Sequence, residues 1–214
     1  MKKYLTWGAF LLSGILFAGT SLYAAYRGFF CGFIYSGFGL IQATLTSFIF
    51  ILPCAYAYFK ISNSKYKAIR LSSCMCLILY LLMLSIVLFG LRYSFEGIQP
   101  IGLKTYVQYN SNLQPFYTIS QNIASNNEMA IMGNVILFVP LGFLAPLVCR
   151  RIDSYPQMAI FLLASITLVE VLQIVTRLGS FDVDDIILNF IGGMAGYFLV
   201  RQSGVIRLLN KTEQ

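Results

Sequence analysis

Six long apolar runs dominate the pattern along this chain: 5–26, 33–59, 71–91, 130–149, 155–176 and 185–200. Each approaches the ~20 residues that an α-helix needs to cross a bilayer. Backbone amides cannot be left unpaired in hydrocarbon, so the runs predict helices rather than isolated strands. The sixth is the shortest, and polar positions crowd its start. Asp182, Asp184 and Asp185 fall within four positions in SFDVDDIILNFIGG, directly before the apolar stretch. Lys2 and Lys3 before the first run also suit a signal peptide, with SLYAA as its cleavage site. That run is long for a signal peptide, and the pattern favours an uncleaved first helix.

Composition agrees with the pattern. The chain is 58% hydrophobic and only 11% charged, against roughly 25% charged in a soluble domain. The net charge of +7 would suggest nucleic acid in a soluble protein, but here the positions of the charges decide. With the N-terminus in the cytoplasm, the inner segments carry Lys2, Lys3, Lys60, Lys65, Lys67, Arg70, Arg150, Arg151, Arg201, Arg207 and Lys211. The outer segments carry only Arg27, Arg92, Lys104 and Arg177. The positive-inside rule then places both termini in the cytoplasm and removes nucleic acid as a partner. The fold expectation is an all-α, multi-pass membrane protein of six transmembrane helices, with one long extracytoplasmic loop between helices three and four. The chain divides as 1–91, 92–200 and a basic cytoplasmic tail, 201–214.

The long loop, 92–128, contains Tyr93, Phe95, Tyr106, Tyr109, Phe116 and Tyr117. Aromatic rings favour the headgroup level, which predicts a loop lying along the outer membrane surface in contact with lipid. Long loops without regular structure tend to be functional or disordered, and this one is too aromatic for plain disorder.

The chain has no histidine, so the commonest general base and metal ligand are missing. Its cysteines, Cys31, Cys54, Cys74, Cys76 and Cys149, show neither zinc spacing nor a disulfide framework. They read as small apolar packing residues. Candidate chemistry therefore falls on carboxylates and amides, and in the expected topology these gather on the outer side. Glu170, Gln173 and Arg177 are spaced i, i+3, i+7 and share one helix face. Asp182, Asp185 and Asn189 have the same spacing. Helices five and six are joined by a short turn, so the two stripes can face one another across an outward pocket. Asn134 and the loop segment 110–114 lie on the same side. Gly192 and Gly196 form a GxxxG pattern that lets helices approach closely and would close the pocket floor.

Simpler roles exist for single residues. Asp182 or Asp184 can cap helix six, Asn134 and Asn189 can bridge helices, and Arg177 can anchor at the interface. Glu170 is harder to explain in that way. A charged group near the centre of a membrane helix costs ~2.5–3.5 kcal/mol on insertion scales and usually marks a site or a buried partner. Arg177 and the Gln173 amide are its nearest partners in sequence.

In the second half, 92–200, the chain resembles the VanZ-like family of teicoplanin-resistance membrane proteins. The resemblance is carried by NLQPF (112–116), NVILFVPLGF (134–143), EVLQ (170–173) and FDVDDIILNFIGGMAGY (181–197), in that order. It implies that the family's recurrent polar positions correspond to Asn112, Asn134, Glu170, Gln173, Asp182, Asp185 and Asn189. Arg177 matches a less constant arginine, and Asp184 a variable position. The resemblance further implies a bacterial cell-membrane protein, of the Gram-positive envelope, linked to glycopeptide resistance.

Two functions of different class follow. One is an accessory protein whose pocket binds teicoplanin or a lipid-linked cell-wall precursor. The alternative is a membrane-embedded enzyme acting on an envelope lipid or precursor. There Glu170, Asp182 and Asp185 are the catalytic candidates, and Asp182 and Asp185 could hold a divalent cation. A transport route is disfavoured, because the polar positions stop in the outer half of the helices.

Overall fold

The apolar runs fold as helices wherever the structure, a computed structural model, describes them; the described residues are 2–30, 49–90, 100–206 and 209. Among the described residues, five helices are long and apolar enough to cross a membrane: Thr6–Tyr23, Lys65–Phe89, Glu128–Val148, Tyr155–Thr176 and Val183–Gln202. Most of the second expected span lies outside the described residues. Its described end belongs to a shorter apolar helix, Ile49–Ser62.

The described residues form two compact units, one within Met1–Phe95 and Leu209–Gln214, the other within Glu96–Leu208. In the first unit, α1 (Lys2–Phe30), α2 (Ile49–Ser62) and α3 (Lys65–Ser85) pack through apolar side chains. Phe17, Ile51, Cys54, Met75 and Leu79 form the buried cluster. Ser64 caps α3, accepting from the Lys67 amide at 3.5 Å. One π-helical turn, Ile86–Gly90, follows α3. Cys54 packs in this core as a free thiol, as expected of a small apolar residue.

The second unit contains α4 (Leu103–Tyr109), β1 (Ser111–Asn112), α5 (Tyr117–Ala124), α6 (Glu128–Val148), α7 (Tyr155–Thr176), β2 (Phe181–Asp182) and α8 (Val183–Gln202). Much of the long loop is thus regular structure, and β1 pairs in parallel with β2, Ser111 opposite Phe181 and Asn112 opposite Asp182. Tyr93 and Phe95 lie outside the described residues. Tyr106 is buried, whereas Tyr109, Phe116 and Tyr117 are exposed. The α7 start is fixed by Gln157, whose side chain accepts from the Asp153 and Ser154 amides at 2.9 and 3.0 Å.

The glycines of α8 set the packing. A Cβ on Gly192 would lie 1.8 Å from the Val135 carbonyl oxygen, and one on Gly196 would lie 2.1 Å from that of Val139. A Cβ on Gly142 of α6 would meet the Gly193 carbonyl oxygen at 1.8 Å. The backbones of α6 and α8 therefore touch, and the pairs Val135–Gly192 and Val139–Gly196 advance together, so these helices run in the same direction. Gly193 instead receives Leu162 of α7; a Cβ there would stand 2.6 Å from Leu162 Cδ2. The GxxxG face, placed by sequence only beneath the polar residues, is the seam with α6. Pro140 and Pro146 sit inside α6, which membrane helices tolerate when neighbours re-satisfy the freed backbone groups.

Candidate functional site

The acidic start of α8 is where loop, strand pair and helices meet. Asp182 is its N-cap, accepting from the Asp184 amide at 2.9 Å, as Asp does at helix starts. The same carboxylate receives the Asn112 side-chain amide at 3.1 Å and the Thr118 hydroxyl at 2.6 Å. Asn112 also donates to Thr118 Oγ1 at 3.0 Å and accepts from the Gln114 amide at 3.1 Å. The β1–β2 register, which sets Asn112 opposite Asp182, brings these groups together.

Glu170 approaches from α7. It is 2% exposed, and its Oε2 accepts from the Asp182 backbone amide at 3.1 Å. Sequence pointed to Arg177 or Gln173 as its partner. Arg177 is the C-cap of α7 in the left-handed region, φ 60°, which takes it off the helix face. Its Nη1 donates to the Ile101 carbonyl at 2.8 Å. Gln173 packs under the α7–β2 turn, where a Cβ on Gly179 would lie 2.6 Å from Gln173 Cβ. The Gly179 carbonyl in turn accepts from the buried Tyr106 hydroxyl at 3.0 Å. Gln173 and Arg177 thus support the turn and the loop, while Glu170 joins the carboxylates.

From α6, the Asn134 side-chain amide donates to Asp185 Oδ1. Asn189 lies one turn further along α8, 4% exposed, and its Oδ1 has no hydrogen-bond partner among the described residues. Leaving such an acceptor unpaired costs about 1–3 kcal/mol.

Asp184 was the acidic residue that spacing and family pattern both passed over. It is fully buried, and its two oxygens accept from the Phe116 and Ile119 amides at 2.5 and 3.0 Å. These amides open α5, so Asp184 caps a helix to which it is not joined in sequence. Phe116, the residue before α5, is held at φ 65°, a costly conformation for a non-glycine residue. Nothing in the local sequence of Asp184 announces this, because its partners lie 65 and 68 residues away. Thr118 was missed too; its only sequence signal is its place in the polar stretch NSNLQPFYTIS.

The result is a cluster in which Asn112, Thr118, Glu170, Asp182 and Asp184 form one connected network, with Asn134 and Asp185 paired beside it. The donors that reach the carboxylates here are backbone amides, side-chain amides and a hydroxyl, all neutral. Among the described residues, no group of three or more His, Cys, Asp or Glu side chains is placed to hold a metal ion.

The family model described as VanZ/LLP1 matches residues 76–207. Among curated proteins, "Protein VanZ" of Enterococcus faecium is 34% identical over 121 residues, covering 56% of this chain and 68% of that protein. No solved structure matches the chain.

Proposed function

Because the chain belongs to the VanZ/LLP1 family, we propose that it is an accessory glycopeptide-resistance or cell-envelope factor of the bacterial cell membrane. In this reading it crosses the membrane several times with both termini in the cytoplasm. The carboxylate cluster faces outward and binds teicoplanin or a lipid-linked cell-wall component. Asn112, Asn134, Glu170, Asp182, Asp185 and Asn189 line that site, and Gln173 and Arg177 hold the turn beside it. One observation carries the reading: the loop, α6, α7 and α8 all converge on a few carboxylates at the start of a membrane-length helix. Ionisable groups in membrane helices are expensive and tend to be functional.

The test is the teicoplanin inhibitory concentration in a susceptible Gram-positive host, with vancomycin as control. Wild type, Glu170→Gln and Asp185→Asn are expressed at matched membrane levels. Wild type is expected to protect and both variants to lose that protection. Protection by both variants at the wild-type level would remove the site from the function. A modified envelope lipid found only with wild type would move the reading to the membrane-enzyme alternative, where a divalent cation on Asp182 and Asp185 would come into question.

A further inference from the structure

In and beside the cluster, three side chains have an acceptor oxygen left over. Glu170 commits Oε2 to the Asp182 amide, and Asp185 commits Oδ1 to Asn134. Each carries a second oxygen. Asn189 adds the buried Oδ1 that has no partner among the described residues. Asp182 differs from them, since its two oxygens already take three donors.

Helix register sets two of them level and the third one turn deeper. Leu162 of α7 packs against Gly193 of α8, and the short turn makes these helices antiparallel. Moving from Leu162 to Glu170 and from Gly193 back to Asp185 covers equal lengths, so Glu170 and Asp185 come level. Glu170 is also within electrostatic reach of Asp182 and Asp185. Asn189 is four residues after Asp185, on the same face and one turn deeper.

We propose that Glu170, Asp185 and Asn189 bind a protonated primary amine, R–NH₃⁺, one N–H directed to each side chain. The access route rests on the outward-site reading above. Two carboxylates close together in an apolar setting require compensation, and a bare ammonium offers three donors and no acceptor. It thereby answers both the charge and the unpaired Asn189 oxygen. A quaternary ammonium would match the charge and leave the Asn189 oxygen unpaired.

The experiment uses the full chain in phosphatidylcholine nanodiscs, with calorimetric titration and thermal unfolding. The probes are ethanolamine, tetramethylammonium and Mg²⁺ at constant ionic strength. Ethanolamine should bind saturably and raise the unfolding temperature. Glu170→Gln and Asn189→Leu should each weaken it by about tenfold or more, whereas Asn189→Asp, which keeps an acceptor oxygen, should retain it. Tetramethylammonium should bind about tenfold more weakly than ethanolamine. Replacing the lipid by phosphatidylethanolamine separates two sources of the amine: competition assigns it to a headgroup, and unchanged binding to a non-lipid molecule. Equal binding of both ammonium probes, a variant-sensitive response to Mg²⁺ alone, or no saturable binding by folded wild type would each overturn the proposal. Unfolding of the ligand-free variants shows that each is folded. Since the readout is binding, amine binding without drug protection would sink only the resistance reading. Protection without amine binding would sink only this inference.

Discussion

The two ends of the Glu96–Leu208 unit are built on opposite principles. At the start of α8, the carboxylates of Asp182, Asp184 and Asp185 are held by neutral donors, most of them from distant segments. At the other end of α8, a cation is held by aromatic rings and oxygen atoms close by. Arg201 Nη1 donates to the Tyr197 hydroxyl and the Asp153 carbonyl, both at 2.6 Å. Its guanidinium lies 4.8 Å from the Tyr155 ring centroid and 5.7 Å from that of Tyr197. The two rings meet edge-to-face at 5.1 Å, a favourable aromatic geometry. At the basic end the cation meets two rings, a hydroxyl and a backbone carbonyl. At the acidic end Glu170, Asp185 and Asn189 keep acceptor oxygens, which the proposed binding role would use.

Between the ends runs the α6–α8 seam, and its disruption should erase the comparison altogether. In Gly192→Leu the new side chain would collide with the Val135 backbone, and backbone cannot move aside as a flexible side chain can. We expect a loss of about 3 kcal/mol or more, seen as a collapse of the unfolding transition in detergent. Both ends should then lose protection from hydrogen exchange together.

Asp184→Ala should break the acidic end alone. It strips two α5 amides of their acceptor, at about 1–3 kcal/mol for each group left buried and unpaired. Limited proteolysis should open the segment 110–127, while hydrogen exchange around Tyr197 stays at the wild-type rate. Equal exposure of both ends would show that the unit is one cooperative block.

Arg201→Met sharpens the contrast from the other side. It keeps much of the stem and removes the cation, so we expect a loss of only ~1–2 kcal/mol. Teicoplanin protection should be unchanged at matched expression, since the residue touches none of the carboxylates. Loss of protection in this variant would tie function to the basic end instead.

Much of this was legible along the chain. Apolar run length placed the five membrane-length helices found among the described residues, because a bilayer demands a fixed length and full backbone pairing. Asp182 as a cap of α8 and Gly192 and Gly196 as a close-contact pair were readable from spacing, since both depend on neighbours within one helix. The polar positions quoted as candidates also follow from spacing and family pattern. What each of them touches was decided by the tertiary structure. Glu170 meets the Asp182 amide rather than Arg177, because the left-handed cap turns Arg177 away from the helix face. Asp184 became the cap of α5 through partners 65 and 68 residues away, and β1 formed by pairing with the distant β2. Local sequence encodes length, periodicity and capping because these act within a few residues. The pairing of a buried carboxylate with a distant backbone amide depends on which segments pack together, and only the folded chain settles that.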